Sequence, residues 1–246
     1  MMKTVILAAG IASRLKPLTD NTPKCLLKVD GKYILERAIE NLISTNNREI
    51  IIVTGYLENK IREFVSSRFP ELKVNYICNQ LYGSTNNIYS LWMVKEAVAG
   101  DSMLMMDSDI VFDKNIITRL VNSGYENCLA LKRHDVQDEE IKVKTDQSGR
   151  VLAINKEIPL AEAIGESIGI ELFGKKGCAE LFRILDHKVK IEKKVNQFYE
   201  TAFEELTENC LYVVDTTDYF CMEIDTADDL SLAQKLVSNN INQEIS

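Results

Sequence analysis

Lys3-Thr4-Val5-Ile6-Leu7-Ala8-Ala9-Gly10-Ile11-Ala12-Ser13-Arg14-Leu15 is the stretch on which the reading of the fold turns. Its apolar part, Lys3 to Ala9, predicts a strand buried on both faces, as in a parallel sheet covered by helices. The small residues that follow allow the backbone to approach a ligand closely. Working outward, the spacing of Ile34, Leu35, Ala38, Ile39 and Leu42 predicts a helix over Tyr33 to Ser44. Glu49 to Thr54 predicts a second buried strand, Glu58 to Arg68 a helix and Lys73 to Cys78 a third strand. Asn87 to Val98 predicts a helix, and Ser102 to Met106 a fourth strand ending in Asp107-Ser108-Asp109. Strand and helix alternating at this spacing imply crossover units and a mostly parallel sheet in an α/β protein.

The texture changes after Asn115. Strands are predicted at Cys128 to Lys132, Ile141 to Thr145, Val151 to Lys156, Ile168 to Phe173 and Leu211 to Asp215. Helices are predicted at Phe198 to Leu206 and Thr226 to Val237, the last with Asp225 or Thr226 at its N-terminus. No linker, repeat or low-complexity run separates the halves. Residues 1–246 are therefore expected to form a single domain, with a nucleotide-binding half (1–115) and an acceptor-binding half (116–246).

The formal net charge of −8 argues against nucleic acid, which needs a basic face. Any phosphate site must instead be locally basic. Six scattered cysteines without a C-x-x-C pair, and only two histidines, argue against zinc and suggest reduced thiols in the cytoplasm. No secretory leader and no membrane span is expected.

Four stretches carry chemistry. In Leu7-Ala8-Ala9-Gly10-Ile11-Ala12-Ser13-Arg14, successive amides can cradle phosphate oxygens. Arg14, and Lys24 in Pro23-Lys24-Cys25-Leu26, supply the positive charge; alone, the loop reads equally well as a surface loop with two solvated cations. Asp107 and Asp109, at a strand's carboxyl end, suit Mg²⁺, which prefers hard oxygen ligands. Glu223-Ile224-Asp225-Thr226 offers a further aspartate, read without context as a helix cap. In the run Asn79 to Trp92, the amides and hydroxyl of Gln80, Ser84 and Asn86 can read a base edge, while Asn86 equally suits a helix cap.

Taken together, Leu7-Ala8-Ala9-Gly10…Ser13-Arg14-Leu15…Pro17-Leu18-Thr19…Pro23-Lys24-Cys25-Leu26 resembles the signature of nucleoside-triphosphate transferases, with Ala12 in place of a usual glycine. That replacement needs only slight extra room if φ at Ala12 is negative. Asn86-Asn87-Ile88-Tyr89-Ser90-Leu91 is similar to bacterial choline-phosphate cytidylyltransferases, and Asp138 to Lys144 with Gly165 to Ile170 to 2-aminoethylphosphonate cytidylyltransferases. The resemblance implies a Rossmann-like three-layer α/β/α fold, glycosyltransferase-A-like, with a mostly parallel, mixed central sheet. It implies that Arg14 contacts the β- and γ-phosphates and that Lys24 stabilises charge at the α-phosphate. It makes Asp109 and Asp225 the metal ligands, with Asp107 in support.

On this resemblance the expected activity is Mg²⁺-dependent transfer of CMP from CTP, or another nucleoside triphosphate, to a small phosphorylated or phosphonate acceptor. A sugar-1-phosphate nucleotidyltransferase, a glycosyltransferase and an inactive nucleotide-binding regulator are the rivals. For the acceptor, Lys142 or Lys144 is expected at the phosphonate. Glu139, Glu166 or Glu200 is expected at an ammonium group, or Tyr199 as part of an aromatic cage; Tyr89 and Trp92 sit at helical spacing and read as core. His134 reads as a surface histidine or as one that supports a site residue from behind. The expected partners are small molecules, with a homodimer as an option.

Overall fold

The computed structural model describes residues 1–206 and 211–244. Cys210 falls outside them. Its elements are β1 (Met2–Ala8), β2 (Lys28–Val29), β3 (Lys32–Tyr33), α1 (Ile34–Ser44), β4 (Ile50–Thr54), α2 (Glu58–Arg68), β5 (Val74–Cys78), α3 (Asn87–Met93) and α4 (Lys95–Val98). There follow β6 (Ser102–Asp107), β7 (Ile110–Phe112), α5 (Asn115–Val121), β8 (Asn127–Lys132), β9 (Lys142–Thr145), β10 (Val151–Asn155) and β11 (Gly165–Phe173). α6 (Lys175–Asp186), α7 (Glu200–Leu206), β12 (Tyr212–Asp215), β13 (Cys221–Glu223) and α8 (Ala227–Glu244) complete the chain.

The central sheet runs β10-β9-β11-β6-β1-β4-β5, with β8 joined to β11 and β12 joined to β8. β1, β4, β5 and β6 pair in parallel. β11 runs antiparallel to β6, β8 and β9, so the second half adds the mixed character. The alternation of side chains separates two cores. Val5, Leu7, Met103 and Met105 face Ile88 and Leu91 of α3 and the buried residues of α6 and α7. Ile6, Ala8, Leu104 and Met106 face α1, α2 and α5. Helices on both faces of one sheet are the expected α/β arrangement.

Three departures bear on the site. The helix predicted from Asn87 to Val98 is broken at Val94 into α3 and α4. α6 gave no predicted element, although its six buried positions lie at helical spacing. β7 and β13 also gave none; they form a separate two-stranded ribbon in which Glu223 faces Ile110. Ribbons of three residues are too short to show a period of two against a background of apolar residues.

Candidate active site

β1 and β6 end side by side, with Leu7 opposite Asp107. The loop after β1 and the Asp107-Ser108-Asp109 turn after β6 therefore share one edge of the sheet. This is the carboxyl edge, where open α/β sheets bind ligands. The β7–β13 ribbon then carries the late acidic segment to the same place, and the Ile224 amide donates to the Asp109 carbonyl at 3.0 Å. Thr226 and Asp229 cap α8 reciprocally: Asp229 N–H donates to Thr226 Oγ1 at 3.2 Å, and Asp229 Oδ2 accepts from the Thr226 amide at 2.7 Å. Asp229 Oδ2 also accepts from the Asp225 amide at 3.1 Å, which fixes Asp225 at the helix entry.

Four side chains from three segments meet here. Lys24 Nζ donates to Asp109 Oδ2 at 2.6 Å and to Asp225 Oδ1 at 2.5 Å. Arg14 Nη2 donates to Asp225 Oδ2 at 2.5 Å. Burial alone would lower the Lys24 pKa, but the charges and hydrogen bonds of Asp109 and Asp225 outweigh it and raise the value. Asp225 is half-buried, which opposes its ionisation; Lys24 and Arg14 prevail and hold its carboxyl below the ordinary range. Asp107 is pushed well above that range by burial and the nearby Asp109 charge, although the Tyr199 hydroxyl donates to its Oδ2 at 2.7 Å.

Glu223 is a member of the cluster that sequence reasoning did not assign. One carboxylate oxygen from each of Asp109, Glu223 and Asp225 lies within 4.8 Å of the others. Period-two spacing over Glu223-Ile224-Asp225 was the available signal. Burial, then Asp109 and Asp225, push Glu223 up to about 8. Asp109 Oδ1 is buried without a hydrogen-bond partner. Three hard oxygen donors and one orphaned buried oxygen fit a divalent cation of the Mg²⁺ type.

A cavity of about 310 Å³ opens beside the cluster, lined by Leu7, Ala8, Ala9, Gly10, Ala12, Arg14, Lys24, Asn86, Asp107, Asp109 and Asp225 among others. Ile11 and Ser13 belong to the loop but not to the lining. Gly55 packs under the loop so tightly that a Cβ there would lie 2.8 Å from the Ala9 carbonyl oxygen and 2.9 Å from Tyr82 Cβ. Ala12 has φ +53°, so the condition of a negative φ is not met: the residue occupies the left-handed region a glycine would take freely. Gln80 and Ser84 are exposed and outside the lining, because the turn after β5 folds inward through Asn79 instead. Asn79 Nδ2 donates to Thr85 Oγ1 and Ser90 Oγ, both at 3.1 Å. Asn86 caps α3, its Oδ1 accepting the Asn87 amide at 2.8 Å, and also lines the cavity.

A second chamber of about 500 Å³ adjoins the first and shares Arg14, Asn87, Asp107, Phe198, Glu223 and Asp225 with it. It contains Glu139, Glu166, Tyr199 and Glu200 of the expected acceptor residues. Lys142 and Lys144 do not line it. Lys142 is buried, its Nζ donating to the Asp138 carbonyl at 2.9 Å, and Lys144 pairs with Glu162. The lysines of the chamber are Lys132 and Lys156 instead, beside Arg14 at the shared mouth. The pleat explains the difference: β9 turns Lys142 away from the cleft that β8 and the loop after β10 face. Tyr199 is fully buried and presents its hydroxyl, not its ring face, to the cluster. The rings of Trp92 and Tyr89 lie 5.2 Å apart, tilted, and neither lines the two cavities; Trp92 Nε1 donates to Asp186 Oδ1 at 2.8 Å.

Comparison with known proteins gives a consistent answer. The family model for the MobA-like NTP transferase domain matches residues 4–181. The choline-phosphate cytidylyltransferase of Streptococcus pneumoniae is 32% identical over 90% of this chain and 97% of its own length. The CTP:phosphoglutamine cytidylyltransferase of Campylobacter jejuni is 26% identical over 94% of this chain and 98% of its own. Among solved structures, the CTP:phosphocholine cytidylyltransferase from Streptococcus pneumoniae superposes with a TM-score of 0.81, at 24% identity, over 96% of this chain and 99% of that one.

Proposed function

The chain belongs to the MobA-like NTP transferase domain family, and from that premise we propose that it is a Mg²⁺-dependent cytidylyltransferase, moving CMP from CTP to a small phosphorylated or phosphonate acceptor and releasing pyrophosphate. The observation that carries the proposal is the meeting of Arg14, Lys24, Asp109 and Asp225 at the mouth shared by two cavities. One cavity suits a nucleoside triphosphate and the other a small acceptor.

In this reading an ionised oxygen of the acceptor attacks the α-phosphorus in line. The new P–O bond forms as the bond from the α-phosphorus to the bridging oxygen breaks, and pyrophosphate leaves with that electron pair. The nucleophile is already ionised, so no strong general base is required. The loop from Ala8 to Ala12 binds the phosphates through backbone amides. Arg14 holds the β- and γ-phosphates, and Lys24 neutralises charge growing at the α-phosphate. A divalent ion held by Asp109 and Asp225, with Glu223 within reach, would supply Lewis acidity to the phosphate oxygens. Asp107 supports the turn through the Tyr199 hydroxyl. The half 1–115 thus supplies most of the nucleotide cavity and 116–246 most of the acceptor chamber, where the acceptor's phosphate or phosphonate meets Lys132 or Lys156. Among the described residues no helix is long and apolar enough to cross a membrane, and five cysteines are free; a cytoplasmic site of action suits these thiols.

The test is a matrix of four nucleoside triphosphates against choline phosphate, 2-aminoethylphosphonate and a sugar 1-phosphate, with pyrophosphate as readout. CTP with a zwitterionic acceptor is expected to give the highest rate. Asp109→Ala and Asp225→Ala should each remove most turnover; near-normal rates at saturating substrates in either variant would refute the metal assignment.

A further inference from the structure

A third cavity, of about 520 Å³, lies between α5 and the chain that runs from β12 to β13. It shares no lining residue with the nucleotide cavity or the acceptor chamber. Its wall carries an aromatic platform. The Tyr125 ring stacks on the Tyr212 ring with centroids 4.4 Å apart and planes 7° from parallel. Tyr125 lines the cavity and Tyr212 does not, so Tyr125 is the open side of the pair, and it is 38% exposed. A planar ring can extend such a stack.

The same wall carries an uncommitted cation. The Arg119 guanidinium lies 5.8 Å from the Tyr219 ring centroid and, among the described residues, forms no ion pair. Asp215, the carboxylate of the lining, is already matched by Arg133 Nε at 2.6 Å. The unmatched charge facing the cavity is therefore positive. Asn115 and Asn122 add amides that donate and accept at once, as a base edge requires. A bare sugar would leave the guanidinium unused, and inorganic phosphate would leave the platform unused. A nucleoside phosphate uses both.

The cavity also touches the ribbon that places the late carboxylates. Asn115 follows the end of β7 at Phe112, and Tyr219 precedes the start of β13 at Cys221. The Asp113 amide donates to the Phe220 carbonyl at 2.8 Å, which ties the two walls together. Phe112 pairs with Cys221 at this end of the ribbon, and Ile110 with Glu223 at the other. A ligand that bridges Arg119 and Tyr219 thus grips one end of a three-residue ribbon whose opposite end leads to Asp109, Glu223 and Asp225.

We propose that this cavity is a second ligand site, for a nucleoside phosphate, and that its occupation changes turnover through the β7–β13 ribbon. Arg119 takes the phosphate through two N–H donors, and the base stacks on Tyr125. The site itself stands apart from cytidylyl transfer; only its effect on turnover rests on that reading.

The test is equilibrium dialysis of the full chain with radiolabelled CMP, which the cytidylyl-transfer reading also sends to the active site. Two equivalents per chain are expected, one weakened in Arg14→Gln and the other in Arg119→Gln. Arg119→Gln and Tyr125→Ala should each weaken the second equivalent roughly tenfold or more, and cytidine should bind there roughly tenfold more weakly than CMP. Both side chains are exposed, so the thermal midpoints of these variants should stay at that of the parent. At saturating CTP and acceptor, competition at the active site vanishes. CMP should then still change the rate of pyrophosphate release in the parent and not in Arg119→Gln, whose basal turnover should be unchanged. CMP binding untouched by both Arg119→Gln and Tyr125→Ala would overturn the site, as would inorganic phosphate or cytidine binding there as tightly as CMP. A rate at saturation that CMP does not move would overturn the link through the ribbon. An equivalent sensitive to Arg119→Gln, with none sensitive to Arg14→Gln, would uphold the site and count against the cytidylyl-transfer reading.

Discussion

Lys24 shows how much one side chain decides. Its ammonium lies on the carboxylates of Asp109 and Asp225, the groups that would hold a divalent ion. A metal would therefore compete with the ammonium until a phosphate offered the ammonium another anion. Lys24→Met should tighten Mn²⁺ binding to the nucleotide-free protein by about tenfold or more, followed by electron paramagnetic resonance, while abolishing most turnover. Unchanged or weaker Mn²⁺ binding would refute the competition. At Ala12 the left-handed conformation costs roughly 1–2 kcal/mol relative to the right-handed region. Ala12→Gly removes that strain but frees the unfolded chain, so a net gain in stability of up to about 1 kcal/mol is expected by denaturant titration.

At the scale of elements, the β7–β13 ribbon and the entry to α8 place the late carboxylates. The ribbon alone would leave Asp225 free to rotate; the Thr226–Asp229 cap holds its backbone. Thr226→Ala should lower unfolding stability by about 1 kcal/mol and weaken metal binding in calorimetric titration, since Asp229, whose Oδ2 accepts the Asp225 amide, loses the Thr226 hydroxyl that anchors it. Stability lost with metal affinity intact would show that the ribbon suffices. The parallel strands with their flanking helices were legible because long buried runs and the helical spacing of α1 and α2 stand out from the background. α6 is as amphipathic as α1, but Gly174 and the charged start Lys175-Lys176 mask its onset.

For the whole molecule, the acidic cleft sets the response to pH. Burial first, then Glu140, pushes Glu166 up to about 7, and burial pushes Glu200 up to about 7, from an ordinary value near 4.5. Between these limits the folded state binds more protons than the unfolded chain, so stability falls as pH rises. Their contribution is full below about pH 4.5 and lost above about pH 7. Glu200→Gln should therefore be more stable than the parent at pH 8, on the order of 2 kcal/mol for this buried group, and equal to it at pH 4. A pH-independent difference between the two unfolding curves would refute the linkage.

The sequence by itself determined the parallel strands of the first half, the small-residue loop after β1, and the chemical types gathered there: two cations, hard carboxylates, and acids toward the acceptor end. These follow from local periodicity and from what phosphate and metal require. Tertiary structure decided which of those residues meet. Lys24 and Asp109 are separated by 85 positions, and Arg14 and Asp225 by 211; ladder register, not local pattern, brings them together. The same register turned Lys142 into a buried carbonyl-bonded lysine, put Lys132 and Lys156 in the cleft, added Glu223 to the carboxylates and drew His134 between Glu140 and Glu166. A one-residue change in pairing moves every side chain of a strand to the opposite face, and no composition or spacing within a segment reports which face a neighbouring segment will cover.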